Sequence, residues 1–211
     1  MRALVVGATG GTGRAVVDAL LARGHEVTAM ARHIEPRAGV RVMRGDARVA
    51  GEVERAVAGQ EAVIVTLGIA ENALLVRLGL GKTPMDVRSA GTRNVIQAMR
   101  QHGVRRLVVQ SSYGVGPSRD RLTLGWKLIF ALVLRPQIDD TEQQEALVRT
   151  SALEWTLVQP VGLVDPADDR EVFASSAGEV RRMRVARSQV ATVMVDAAER
   201  AGANDTVAVS S

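Results

Sequence analysis

Short continuous apolar runs alternate along the chain with segments in which apolar residues recur at helical spacing. ALVVG (3–7) is unbroken, as in a parallel strand buried on both faces. Val16, Val17, Leu20 and Leu21 then follow a 3.6-residue period that Arg23-Gly24 ends. EVTAMA (26–31) and VRVMRG (40–45) read as the second and third strands, Val49, Val53, Ala56 and Val57 as a helix face, and AVIVTLG (62–68) as the fourth strand. A long helix is expected from about Asp86 to His102, then a strand RLVVQSS (106–112), a helix near 139–151 and a strand WTLVQP (155–160). Ser188 is placed to cap a last helix carrying Val190, Val193, Met194 and Ala197, and TVAVS (206–210) closes the chain as a strand. Repeated strand–helix units of this length predict a single α/β domain over 1–211, a doubly wound, Rossmann-like parallel sheet with helices on both faces.

In such a sheet the ligand lies at the carboxyl ends of the strands, where strand order reverses, so the turns after Gly7, Gly68, Ser112 and Pro160 matter most. The first is the most informative. In GATGGTG (7–13), Gly7 permits a tight turn, Gly10 allows backbone to approach a pyrophosphate, and Gly13 lets helix and strand pack closely. The helix that follows offers unpaired N–H groups to phosphates. Strand–glycine turn–helix is the context in which this triplet means dinucleotide binding. Arg32, at the end of the second strand, stands where an acidic residue would hold a free ribose 2′-hydroxyl. With Arg14 it favours a 2′-phosphate, hence NADP(H) over NAD(H). Asp46 is placed to accept a hydrogen bond from an adenine amino group. The cofactor candidates are therefore Gly7, Thr9, Gly10, Gly11, Thr12, Gly13 and Arg14, with Arg32, Asp46, Ala47, Leu67, Gly68, Ser111, Ser112, Pro160 and Val161 from the later strand ends.

Composition narrows the chemistry. Without cysteine there are no disulfides, thiol catalysis or thiolate metal sites, and His25, His33 and His102 have no metal-ligand spacing, so no metal is expected. Basic residues exceed acidic ones by four, and all but Lys82 and Lys127 of the 27 are arginine. They are scattered, and only two Trp, two Phe and one Tyr are available to stack bases, so nucleic acid is not an expected partner. LTLGWKLIFALVL (122–134) is too short to span a bilayer, and the first strand begins at Arg2 or Ala3; a cytoplasmic protein without a membrane partner, monomer or homodimer, is expected.

Together, GATGGTG (7–13), Arg32, GTRNVIQAMRQHGVRRLVVQSS (91–112), LEWTLVQP (153–160) and VARSQVA (185–191) resemble the atypical short-chain dehydrogenase/reductases, close to the NAD(P)H-binding group that includes biliverdin/flavin reductase and NmrA-like proteins. The resemblance covers nearly the whole chain. Typical members of the superfamily pass a proton from a tyrosine whose pKa is lowered by a lysine four residues on. This chain departs from that pattern. Its one tyrosine, Tyr113, is followed four residues later by Pro117, and aligning by EALVRTSALEWTLVQP puts the pair's places at Gln137 and Thr141. The resemblance implies that the end of the fifth strand faces the nicotinamide, which makes Ser111 and Ser112 the catalytic candidates, through a hydrogen bond to the carboxamide or a substrate.

Flavins and quinones accept hydride at one atom while solvent supplies a proton elsewhere, and so need no protein acid. The expected function is therefore an NADPH-dependent oxidoreductase acting on a small-molecule acceptor such as a flavin or quinone. The competing reading is a non-catalytic NADP(H)-binding sensor of the NmrA-like kind; a sugar-nucleotide epimerase or dehydratase would need the missing pair. Segments 69–85 and 114–138, the latter with Trp126, Leu128, Ile129, Phe130 and Leu132, are expected to shape the acceptor pocket.

Overall fold

The computed structural model describes residues 1–69, 83–121, 135–165, 171–200, 202 and 204–211. Much of the expected pocket segments, including Trp126 and its apolar neighbours, lies outside the described residues.

Ten strands are present among those residues: β1 (Arg2–Val6), β2 (Glu26–Ala31), β3 (Val40–Arg44), β4 (Ala62–Val65), β5 (Arg106–Gln110), β6 (Glu154–Pro160), β7 (Gly162–Val164), β8 (Phe173–Ser175), β9 (Arg184–Ala186) and β10 (Asp205–Ser210). The helices are α1 (Gly11–Ala22), α2 (Ala50–Val57), α3 (Val87–Gln101), α4 (Arg135–Arg149) and α5 (Arg187–Glu199), with a 3-10 turn at Gly116–Arg121. Eight strands form one sheet in the order β3-β2-β1-β4-β5-β6-β10-β8. All neighbours in it are parallel except β10 and β8. A parallel pair, β7 with β9, stands apart.

The continuous apolar runs are explained by a helix layer on each face. Ala3 and Val5 of β1 point into a core with Val16, Val17 and Leu20 of α1 and Val190 and Met194 of α5. Leu4 and Val6 point the other way, into a core with Val53 of α2, Val95 and Met99 of α3 and Val148 of α4. Alternation of side chains along a strand makes this division unavoidable once both faces are covered. The chain crosses from one side of β1 to the other between β3 and β4, which opens a crevice above the carboxyl ends of β1 and β4.

Two expectations are corrected. Ser188 does not cap α5: the N-cap is Ala186, whose N–H donates to Gln189 Oε1 at 3.1 Å, so the glutamine side chain takes up the orphan donor. Val49 lies before α2 and is exposed, so the buried face of that helix is Val53, Ala56 and Val57. The expected doubly wound parallel sheet is present, with β8 closing one edge antiparallel to β10. No helix among the described residues is long and apolar enough to cross a membrane.

The ends of α1 and α5 are tied by charge. Arg23 pairs with Asp196 and Glu199, each at 2.7 Å, and His25 Nε2 lies 2.7 Å from the other oxygen of Glu199. The hydrogen bond with His25 holds the Glu199 carboxyl below its ordinary pKa; desolvation opposes it, and the charge and hydrogen bond of Arg23 add to the lowering. A depressed carboxylate stabilises the fold above its unfolded pKa, and that contribution is lost as pH falls through the folded value. Glu199→Gln is therefore expected to lower the melting temperature by about 1–3 °C at pH 7, because the cluster is exposed. The difference from wild type should vanish in melts near pH 3.

Candidate cofactor site

The crevice is a cleft of about 230 Å³ lined by Gly7, Thr9, Gly10, Arg32, Asp46, Ala47, Thr66, Leu67 and Gly68, among others. The carboxyl ends of β1, β2, β3 and β4 thus bring together eight of the nominated residues. The turn that begins it is held from both sides. The N–H groups of Gly7 and Ala8 both donate to Met30 O, at 3.0 and 3.2 Å, and Gly10 N–H donates to Gly7 O at 3.1 Å. Thr66 Oγ1 donates to Val6 O and Gly7 O, at 3.1 and 3.2 Å. Gly7 has φ +89°, in the region that L side chains avoid. At Gly13 a Cβ would lie 2.3 Å from Gly7 O, so only glycine lets α1 approach the turn. No side chain caps α1, whose N-terminal N–H groups remain open for an anion.

Arg32 is exposed at the rim, its Nη2 3.5 Å from Thr83 Oγ1. Arg14 is exposed too but lines a neighbouring hollow, which shares Thr9 and His33 with the cleft. The two arginines therefore approach from different sides of Thr9. Asp46 Oδ1 accepts the N–H of Arg48 at 2.9 Å, which fixes the carboxylate in its turn at the cleft wall. Gly11, Thr12, Gly13, Ser111, Ser112, Pro160 and Val161 lie outside the lining. Pro160 O accepts the N–H of Tyr113, and Val161 N–H donates to Val209 O, so both tie the carboxyl end of β6 to its neighbours on either side.

At the end of β5, Ser111 is almost fully buried and its hydroxyl donates to Glu145 Oε1 at 2.5 Å. The same oxygen accepts Gln159 Nε2 at 2.7 Å, and Arg149 lies 3.2 Å from Oε2. Ser111 thus has its proton committed and only its lone pairs free. Ser112 is half-buried and makes one long contact, to Tyr113 O at 3.4 Å. Tyr113 is buried, with its hydroxyl 3.5 Å from Gly178 O. Thr141 is buried and its hydroxyl donates to Gln137 O at 2.7 Å, within α4.

Sequence reasoning missed Arg88 and Asp140. Asp140 on α4 caps α3 from outside, accepting the N–H groups of Arg88 and Ser89 at 3.0 and 3.1 Å. Arg88 Nη1 donates to Leu67 O at 3.0 Å, and Nη2 would lie 3.1 Å from a Cβ at Gly68, which sets the guanidinium against the cleft wall. Burial lowers the pKa of Arg88, and the charge of Asp140 opposes that. A cation in the first turn of a helix works against the helix dipole, and this was the signal available in DVRSAG (86–91).

A cleft of this kind, on a sheet of this order, defines a Rossmann-type nucleotide-binding protein. The family described as NAD(P)H-binding matches residues 7–201, and the chain belongs to it. It is 27% identical to an uncharacterized chloroplast protein of Arabidopsis thaliana over 93% of this chain and 71% of that one. It is 33% identical to sterol demethylase protein B of Methylococcus capsulatus over 81% of this chain and 54% of that one; the chain spans only about half the length of that relative. Among solved structures it is similar to ChuY, an anaerobilin reductase from Escherichia coli O157:H7. The TM-score is 0.76 at 24% identity, covering 100% of this chain and 96% of the other.

Proposed function

We propose that the protein is an NADPH-dependent reductase that delivers hydride to a flavin, quinone or similar conjugated acceptor without a tyrosine–lysine pair. One observation carries the reading: a nucleotide cleft with its glycine turn intact belongs to a chain whose α4 holds, at the aligned positions, Gln137 and a Thr141 whose hydroxyl is turned into its own helix. Bound NADPH supplies the hydride. The open N-terminus of α1 and the Gly7–Gly10 turn bind its phosphates, and Asp46 and Ala47 flank the adenine end. Ser111, its proton held by Glu145, keeps lone pairs for a carboxamide N–H and so orients the nicotinamide. Water supplies the proton that accompanies hydride on the acceptor. A solved fold neighbour named as a reductase is in keeping with this assignment.

Arg32 sets the cofactor preference, since a guanidinium recognises a 2′-phosphate and a ribose hydroxyl gives it little. Arg32→Ala is expected to weaken NADPH binding about tenfold and leave NADH nearly unchanged in fluorescence titrations.

The activity test is NADPH oxidation across a panel of flavins and quinones, with Gly10→Asp as control. Gly10 is the N-cap of α1 at φ −67°, and its Cβ would meet only Gly7 O, at 3.4 Å. Aspartate fits that conformation and caps well, so the variant folds while its carboxylate repels the phosphates. Wild-type turnover well above this control is expected. NADPH binding with no acceptor-dependent oxidation would instead mark a sensor.

A further inference from the structure

Arg187 is the first residue of α5, and its side chain lies across the first residue of α1. A Cβ on Gly11 would be 2.6 Å from both Cδ and Nε of Arg187 and 3.4 Å from its Cζ. The guanidinium of one helix start thus covers the start of another. Both helix termini carry partial positive charge, so a cation between them is unfavourable unless an anion accompanies it. Asp165, just beyond β7, supplies that anion through an ion pair with Arg187. The pair is not locked in the core: the side chains are 30% and 63% exposed. A partly exposed cation held over the phosphate-binding turn by an exposed surface carboxylate is arranged to change partners.

We infer that Arg187 is a pyrophosphate-binding residue and that Asp165 is its competing partner in the absence of cofactor. The inference rests on the reading of the Gly7–Gly13 turn as the NADPH phosphate site. When the dinucleotide enters, its pyrophosphate replaces the carboxylate beside Arg187, and two like-signed helix ends and the cation then share one anion. Asp165 lowers apparent affinity by the fraction of time it holds the guanidinium.

Two substitutions should therefore act in opposite directions. By isothermal titration, Arg187→Ala should weaken NADPH and ADP-ribose binding about tenfold, the loss of one charge-assisted contact. Asp165→Asn should tighten both about threefold by releasing the guanidinium. Adenosine 2′-monophosphate, which lacks the pyrophosphate, should bind all three proteins alike. Melting curves check that both exposed substitutions leave the fold intact. Unchanged NADPH and ADP-ribose affinity in Arg187→Ala would overturn the inference, as would a parallel loss for adenosine 2′-monophosphate. If wild type and Gly10→Asp bind NADPH equally, the phosphate-site reading itself has failed, and that outcome is separate from any result at Arg187.

Discussion

Alanine at Gly13 should weaken NADPH binding about 100-fold and lower the melting temperature by about 5–10 °C. The added Cβ would sit 2.3 Å from Gly7 O and 2.9 Å from both Ala8 Cα and Thr66 Oγ1. None of these can yield cheaply. Gly7 and Ala8 are pinned by their N–H bonds to Met30 O, and Thr66 is fixed by its N–H bond to Val6 O at 2.8 Å. The strain must go into lifting α1 off the sheet or opening the turn, a cost of about 2–3 kcal/mol by analogy with overpacked cores. Either movement misaligns the N–H groups that the phosphates need. The contrast with Gly10→Asp is diagnostic, because that variant should lose binding with its melting temperature kept. Calorimetric melts and NADPH titration on the two variants separate packing from recognition.

Glu145→Ala should destabilise the fold by about 3–5 kcal/mol, because it leaves buried polar groups short of a partner and a partly exposed arginine without its anion. Glu145 is 3% exposed, and its two oxygens serve Ser111, Gln159 and Arg149. Deleting the carboxylate strands the Ser111 hydroxyl, leaves Gln159 only its bond to Val115 O, and leaves the Arg149 guanidinium without its anion. Glu145→Gln keeps an acceptor for Ser111 and Gln159 but loses the charge and turns a donor NH2 toward Arg149, so about 1–3 kcal/mol is expected. Urea denaturation gives both values. In whatever fraction of Glu145→Gln folds, weaker orientation of Ser111 should appear in kcat more than in KM.

The fold was legible in the sequence because it rests on signals that are local. ALVVG and AVIV are continuous apolar runs and EVTAMA is broken only by Glu26 and Thr28, and each became a strand buried on both faces apart from its exposed first residue where that is charged. The glycine turn was readable because its requirements are backbone requirements, met by the absence of side chains at Gly7 and Gly13. β7, β8 and β9 were not readable, since three residues carry no periodicity. The polar network was hidden for another reason. Ser111 meets Glu145 across 34 residues, and Ser89 meets Asp140 across 51. EQQEALV (142–148) looks like a solvated helix face until α3 covers Gln144 and the ends of β5 and β6 close over Glu145. Ser188 failed as a cap because α5 begins earlier, at Arg187 with Ala186 as its N-cap, which leaves Ser188 inside the first turn.

The central claim is that hydride leaves NADPH for an acceptor in a site with no tyrosine–lysine pair. Stopped-flow oxidation of NADPH deuterated at the transferring C4 position, with the best flavin or quinone acceptor, tests it most directly. The account predicts acceptor-dependent loss of NADPH absorbance, slowed by a primary isotope effect, with one acceptor reduced for each NADPH oxidised and no loss in Gly10→Asp. Tight NADPH binding with no oxidation above that control for any acceptor would contradict it.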